Sequence, residues 1–157
     1  MEHLIRAAEP DDAEAIIGLM KEFATYENLE QYCTVTANRL RAAMFGDGAV
    51  AEGLIAIDGA SPVGYAIFYP NFSSFRGQMG LYLEDIYIRE QHRRSGLGEA
   101  MLREIARLAL TRGFERIDFM VLDWNTSAIR FYEKLGAVRD PDERHFKFTD
   151  DAFRSLL

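Results

Sequence analysis

The stretch "RRSGLG" at residues 93–98 decides the expected fold, because it joins two segments of different periodicity. The segment before it, "LYLEDIYI" at 81–88, is short, apolar and rich in β-formers, which predicts a strand. The segment after it, "EAMLREIARLAL" at 99–110, repeats its apolar side chains at helical spacing. The first N–H groups of a helix lack internal partners, and the helix dipole makes that end electropositive. A basic, glycine-rich loop that enters such a helix therefore predicts a phosphate-binding site.

The residues around the second glycine exclude two common phosphate loops. A P-loop requires lysine directly after that glycine, where this chain has Glu99. A dinucleotide-binding loop requires a third glycine or alanine, where this chain has Met101. The pattern that remains is R-x-x-G-x-G, which is formed by Arg93, Gly96 and Gly98.

Patterns elsewhere predict one domain over residues 1–157, an α/β (α+β) fold with a mixed central sheet. The expected order is β-α-α-β-β-β-α-β-α-β, and the three consecutive strands are expected to form an antiparallel meander. The segments before the loop are "HLIRAA", "EPDDAEAIIGLMKEFATYENL", "TANRLRAAMFGDG", "VAEGLIAID", "SPVGYAIFYPNF" and "GLYLEDIYI". After the loop and its helix come "RIDFMVLD", "NTSAIRFYEKLGA", "HFKF" and a short closing helix, "TDDAFRSLL". Between the last two meander strands, "PNFSSFRGQMG" at 70–80 predicts a loop on the substrate side.

Composition narrows the class of protein. The net charge of -7 argues against a nucleic-acid binder, which would normally carry a basic face, and it favours a cationic substrate. The charge is uneven, since residues 89–116 hold seven arginines against four acids and residues 27–88 hold seven acids against three arginines. No apolar run approaches the roughly 18 residues of a membrane span. The acidic start of the chain does not predict a signal peptide.

Cysteine and histidine usage argues against two further kinds of site. Cys33 is the single cysteine, so no internal disulfide can form, which fits a cytoplasmic protein. The three histidines, His3, His92 and His145, are scattered along the chain without the spacing of metal ligands. The sequence therefore predicts no metal site.

The loop and its neighbours resemble the GNAT superfamily of N-acetyltransferases, which use acetyl-CoA. The likeness rests on R-x-x-G-x-G between "LYLEDIYI" and "VLDWNTSAIRFYEKLGA", in the same order and at workable spacing. Across residues 81–137 the chain is similar to the diamine (spermidine/spermine) acetyltransferases and to their relatives acting on lysine analogues. A looser likeness reaches back to "KEFATYENLE" at 21–30.

The resemblance implies how the acetyl donor is held. It implies splayed parallel strands with the pantetheine arm of acetyl-CoA in the gap, bound by the backbone of Ile86, Tyr87 and Ile88. It implies that the loop binds the CoA pyrophosphate and that the helix after the second core strand adds further contacts. The expected donor-binding residues in these two segments are Arg93, Arg94, Ser95, Gly96, Leu97, Gly98, Glu99, Asn125, Ser127 and Tyr132. Asn125 and Ser127 have an alternative role as helix caps.

Tyr132 is the candidate general acid that protonates the CoA sulfur, by the same resemblance. Its position also fits a core aromatic, since Ile129, Phe131 and Leu135 form an apolar stripe with it. No enzyme nucleophile is required, because the amine attacks the thioester directly.

Glu84 and Asp85 are adjacent carboxylates in an otherwise apolar strand. Their side chains should point to opposite faces unless a bulge intervenes, and at least one should line a wet pocket. The resemblance makes Glu84 the candidate base, and it makes Tyr26, Glu27, Glu84 and Asp85 the candidate acceptor-binding residues. The alternative for the pair is an edge charge or a structural salt bridge.

The function predicted is acetyl transfer from acetyl-CoA to a small cationic amine, such as a diamine, polyamine or lysine-like compound. Two alternatives stay open: acetylation of a protein N-terminus or lysine, and an acyl-CoA-binding module without catalysis. The chain departs from the diamine enzymes at Arg94 and Ser95, and it is shorter after Ala137, which puts polyamine specificity in question. A homodimer is implied by the resemblance, whereas the expectation of no nucleic-acid or membrane partner rests on the net charge and on the lack of a long apolar run.

Overall fold

A computed structural model describes residues 3–157 of the chain. Three short 3-10 helices, at Pro10–Asp12, Glu30–Tyr32 and Glu90–His92, accompany the main elements. Among the described helices, none is long and apolar enough to cross a membrane. The main elements in chain order are β1 (Leu4–Ala7), α1 (Ala13–Glu27), α2 (Ala37–Phe45), β2 (Glu52–Asp58), β3 (Ser61–Ser73), β4 (Gln78–Ile88), α3 (Leu97–Thr111), β5 (Ile117–Asp118), α4 (Thr126–Lys134) and α5 (Asp150–Arg154).

The five strands form one mixed sheet in the order β1-β2-β3-β4-β5. The first four strands pair antiparallel, which confirms the predicted meander. The fifth strand pairs parallel with β4, through Leu81 with Ile117 and Tyr82 with Asp118. The fold class predicted from the sequence is therefore confirmed, and the parallel contact is confined to the start of β4.

Each face of the sheet carries its own apolar cluster. On one face, side chains such as Phe68 and Leu81 pack against Met101 and Ile105 of α3. On the other face, strand residues including Tyr65 pack against α1 and α2. Burial of each large apolar side chain contributes about 1.5–3 kcal/mol, so these two layers fix the register of the central strands.

The contacts of the chain divide into two compact units, Met1–Met120 and Val121–Leu157. The first unit holds the sheet, α1, α2 and α3, and the second holds α4 and α5. A single domain over residues 1–157 stays a prediction.

Three local predictions were wrong. Residues 145–148 form no strand, because the described residues 121–157 contain no strand for them to pair with. The apolar run 116–123 yields only the two-residue β5, since its partner β4 departs from regular geometry just beyond Tyr82. Residues 70–80 are a hairpin rather than a loop: β3 continues to Ser73 and β4 begins at Gln78, with Gly77 at φ 62° in the turn.

Candidate active site

Glu84 occupies a β-bulge in β4. The register pairs Ile67 with Asp85 and Phe68 with Leu83, so Glu84 is an extra residue with no partner on β3. A bulge shifts the alternation of the strand by one position. As a result Leu83 packs in the cluster on the α3 side, whereas Tyr87 packs in the cluster on the α1 and α2 side.

The bulge places the two adjacent carboxylates on the same face of the sheet. The Tyr65 hydroxyl donates to Asp85 Oδ2 at 2.9 Å, and the Tyr69 hydroxyl donates to Glu84 Oε2 at 2.8 Å. Tyr65 and Tyr69 lie four residues apart on β3, so both point to the α1 and α2 side. In a regular strand, Glu84 and Asp85 would point to opposite faces of the sheet. The bulge instead turns both carboxylates to the same face, as the sequence allowed for a bulged strand.

Burial dominates the electrostatics of this pair. It raises the pKa of Asp85 to about 6; the Tyr65 hydrogen bond opposes the rise and the Glu84 charge adds to it. The same burial keeps the pKa of the Tyr65 hydroxyl well above its usual range, so Tyr65 stays a protonated donor. A buried carboxyl with a pKa this close to neutrality is suited to proton transfer.

Glu27, at the end of α1, is the third carboxylate of this group. Burial raises its pKa, and the charge of Asp85 raises it further, which brings two predicted acceptor-binding residues into one electrostatic group. We refer to Glu27, Glu84 and Asp85 as the carboxylate cluster. Such a cluster is stabilised by a cation.

Tyr26, the other predicted acceptor-binding residue of α1, contacts the loop. The guanidinium of Arg93 lies 4.5 Å from the centre of the Tyr26 ring and 5.6 Å from that of Tyr87. Arg93 Nε also donates to the Ile88 carbonyl at 2.8 Å. The Arg93 side chain thus ties the loop to α1 and to the end of β4, a role that the sequence did not predict.

The loop turns sharply into the N-terminus of α3, with positive φ at two residues. Gly96 adopts φ 85° at the N-cap of α3, and Arg94 adopts φ 60°, a conformation that favours glycine. Ser95 Oγ donates to the His92 carbonyl at 2.7 Å, and Arg94, Ser95 and Gly96 are exposed. The first α-helical bond runs from Ala100 N–H to the Gly96 carbonyl. The N–H groups of Leu97, Gly98 and Glu99 therefore have no helical carbonyl partner.

The outer edge of β4 is the second feature expected to hold a donor. On its inner edge, Ile86, Tyr87 and Ile88 pair with β3. On its outer edge, the strand pairing within residues 3–120 ends at Tyr82. Alternate backbone groups beyond that point are directed away from β3, so an extended chain can pair with them.

The unit Val121–Leu157 carries the remaining predicted residues. Asn125 is the N-cap of α4, and its Oδ1 accepts from Ala128 N–H at 3.2 Å, which confirms the capping role. Ser127 is exposed in the first turn. Tyr132 is half-buried, with its ring 5.1 Å from that of Phe131 in an edge contact. The donor-binding roles of Asn125, Ser127 and Tyr132 stay predictions.

Tyr65 and Tyr69 are site residues that sequence reasoning missed. Both hydroxyls orient a carboxylate, yet each looks like an ordinary strand aromatic in the sequence. The one signal in the sequence is that the two tyrosines are an even number of residues apart on β3, so they share a face of the sheet. That spacing points to the carboxylates only when the register with β4 is known.

Comparison with known proteins identifies relatives over nearly the whole chain. Residues 14–137 match the acetyltransferase (GNAT) family. A thialysine N-epsilon-acetyltransferase from Bos taurus is 33% identical over 164 residues, covering 98% of this chain and 96% of the relative. A spermidine/spermine N(1)-acetyltransferase-like protein 1 from Homo sapiens is 34% identical over 141 residues, covering 85% of this chain and 20% of the relative.

Among solved structures, an integron cassette protein from the mobile metagenome of V. cholerae has a TM-score of 0.82 at 18% identity. The match covers 99% of this chain and 98% of that chain. This likeness concerns the fold alone.

The raised pKa of Asp85 makes folding stability depend on pH. The folded state holds the proton up to about pH 6, whereas an unfolded carboxyl releases it near its usual pKa of 3.8. Stability therefore falls as pH rises between these values, and an ionised Asp85 destabilises the protein above them.

We expect Asp85→Asn to raise the free energy of unfolding by about 1–3 kcal/mol at pH 8 and by almost nothing at pH 4, measured by urea denaturation. Asp47→Asn, at an exposed position outside the carboxylate cluster, is the control; an equal gain at both pH values in Asp85→Asn would contradict the assignment.

Proposed function

The chain belongs to the acetyltransferase (GNAT) family, and we propose that its acceptor is a small molecule with at least two amines. Family membership and the relatives make it an N-acetyltransferase that uses acetyl-CoA and amine acceptors. The observation that carries the acceptor proposal is the carboxylate cluster of Glu27, Glu84 and Asp85 on one face of the sheet.

The carboxylate cluster supports a dication more than a monoamine. One ammonium at Glu84 and Asp85 leaves Glu27 to meet a second. That second ammonium would offset both the burial and the repulsion from Asp85, which together raise the pKa of Glu27. The bovine relative is named for thialysine and the human one for spermidine and spermine, all of which carry more than one amine. A diamine, a polyamine or a lysine-like amino acid is therefore the proposed acceptor.

The loop and the edge of β4 fit acetyl-CoA. Arg94, the exposed turn and the N–H groups of Leu97, Gly98 and Glu99 would hold the pyrophosphate. The outer edge at Ile86, Tyr87 and Ile88 would hold the pantetheine arm. Bound acetyl-CoA supplies the thioester carbonyl to which the acceptor nitrogen forms its new bond as the C–S bond breaks.

The ammonium of the acceptor must lose its proton before its nitrogen can attack. We assign that proton to the pair of Glu84 and Asp85. Glu84 is exposed and can exchange the proton with water, and burial raises the pKa of Asp85 to about 6. Tyr69 and Tyr65 keep the two carboxylates oriented through their hydroxyl groups.

Tyr132 is the proposed acid for the departing thiolate. The support is its position in the "RFYEKLG" segment of α4, together with membership of the family. Asn125 and Ser127, at the start of the same helix, are proposed as further donor contacts.

A homodimer in the cytoplasm belongs to the same proposal. Phe146 and Phe148, which are 87% and 65% exposed, are apolar side chains that a second copy would cover. Cys33 is a free thiol, which fits a reducing compartment.

A panel of acceptors tests the function directly. Release of free CoA is measured with thialysine, lysine, ornithine, 1,4-diaminobutane and spermidine, with monoamines of equal length, and with peptides. We expect kcat/KM for the dications to exceed that of the matched monoamines by at least tenfold. Faster turnover of peptides would favour a protein acetyltransferase, and tight acetyl-CoA binding without turnover of any acceptor would favour a binding module.

The pH dependence of kcat/KM distinguishes the two carboxylates. For the wild-type enzyme we expect an acidic limb near pH 6, because Asp85 must lose its proton. If Asp85 is the base, Glu84→Gln moves this limb to lower pH, because the Glu84 charge that raises the Asp85 pKa is gone. If Glu84 is the base, Glu84→Gln lowers kcat/KM by roughly 10²–10⁴. Unchanged profiles in both Glu84→Gln and Asp85→Asn would remove the pair from the mechanism.

Gly96 tests the pyrophosphate loop, with Gly113 as a matched control at the other end of α3. Both glycines have positive φ, 85° and 72°, and a Cβ at either would meet no atom within 4 Å. Alanine at either position should therefore cost a similar backbone strain of about 1–2 kcal/mol. We expect only Gly96→Ala to raise the KM for acetyl-CoA, by roughly tenfold. Steady-state kinetics measure this, and an equal rise in Gly113→Ala would show that lost stability is the cause.

Tyr132→Phe tests the proposed acid. We expect kcat to fall by roughly 10²–10⁴ while the dissociation constant of acetyl-CoA stays the same, because only the hydroxyl is lost. Turnover and calorimetric binding are measured together. Tyr32→Phe, at a tyrosine that is 73% exposed, is the control. Unaltered turnover in Tyr132→Phe would exclude the hydroxyl as the acid.

A further inference from the structure

Two histidines and an aspartate that lie far apart in the sequence meet at one end of the sheet. Leu4 of β1 pairs with Ile57 of β2 in an antiparallel register. The same register, continued by one residue, places His3 beside Asp58. His92 reaches the same place from the 3-10 helix Glu90–His92. The ligand atoms of His3, Asp58 and His92 all lie within 4.8 Å of one another.

The geometry of this triad is close to that of a metal site. His92 Nδ1 lies 3.6 Å from Asp58 Oδ2, and the two imidazole rings are 5.7 Å apart in a T-shaped arrangement. Zinc bonds to nitrogen and oxygen are about 2.0–2.2 Å long, so two ligand atoms at adjacent corners of a tetrahedron lie roughly 3.4 Å apart. Small side-chain rotations would bring all three atoms to that separation.

A simple ion pair explains only part of the arrangement. A protonated His92 beside Asp58 would satisfy both groups, whose side chains are 16% and 25% exposed. His3 Nε2, however, is buried and has no hydrogen-bond partner among the described residues. Burial of an imidazole nitrogen without a partner is unfavourable. A ligand that uses His3 as well as the other two residues removes this cost.

We propose that His3, Asp58 and His92 form a binding site for a divalent first-row transition-metal ion such as Zn²⁺. Two neutral imidazoles and one carboxylate suit a metal of borderline softness and are a poor donor set for Mg²⁺ or Ca²⁺. The spacing of 3, 58 and 92 in the chain hides the triad from sequence inspection. The sequence prediction of no metal site rested on that spacing.

The site would stabilise the start of the CoA-binding loop. His92 directly precedes Arg93, and its carbonyl accepts the hydrogen bond from Ser95 Oγ. A metal ion would link this turn to the start of β1 and to the end of β2. Its role is therefore structural, and no step of the acetyl transfer involves it.

Titration of Zn²⁺ into the full-length, chelator-treated protein tests the proposal. Isothermal titration calorimetry is run without CoA, since the CoA thiol itself binds zinc. We expect one ion per chain, with affinity lowered at least tenfold in His3→Gln and in His92→Gln. His145→Gln and Cys33→Ser, which change the remaining histidine and the single cysteine, are the controls and should bind like the wild type. Mg²⁺ in excess should not compete.

Co²⁺ provides a second readout that does not depend on stability. Its visible d–d bands should appear in the wild type, disappear in His3→Gln and persist in His145→Gln. Circular dichroism establishes that each variant is folded. If His92→Gln does not fold, His3→Gln alone tests the site. Residue 3 precedes β1 and, within residues 3–157, makes no backbone hydrogen bond to the loop, so this substitution should leave the fold intact. The proposal is overturned if Zn²⁺ does not bind, or if the triad variants and the controls bind it equally.

Discussion

One extra residue in β4 determines the chemistry of the site. Because Glu84 bulges out of register with β3, two consecutive carboxylates turn toward the helices α1 and α2 instead of to opposite faces. The apolar residues on either side of the bulge still reach their own clusters, Leu83 on the α3 side and Tyr87 on the other. The two packed layers hold this register, since a slip of one residue would expose every apolar side chain of the strand.

The same irregularity explains why the parallel pairing of β4 is so short. Parallel pairing with β5 ends at Tyr82, two residues before the bulge, because a bulged strand bends and twists away from its neighbour. The edge beyond that point is the one proposed above to hold the pantetheine arm. A single local feature thus supports both halves of the proposed reaction, the acceptor side through the carboxylates and the donor side through the strand edge.

Stability and the proposed function oppose each other at Asp85. Burial holds its pKa near 6, so the ionised form costs folding free energy at physiological pH. Tyr65 offsets part of that cost with its hydroxyl, and a bound ammonium would offset more. Arg93 contacts both the Tyr26 ring and the Ile88 carbonyl, so the loop is tied to α1 and to the end of β4.

The sequence by itself determined the family, the order of the elements as far as α4 and the loop at 93–98, because these depend on local spacing and on turn chemistry. It also identified Glu27, Glu84 and Asp85 as carboxylates of interest, yet it left their relative orientation open. Only the tertiary structure decided that the strand bulges, that Tyr65 and Tyr69 orient the carboxylates, and that residues 145–148 form no strand. It alone brought His3, Asp58 and His92 together. The physical reason is that register and long-range proximity arise from the packing of whole faces against each other, which no short stretch of sequence contains.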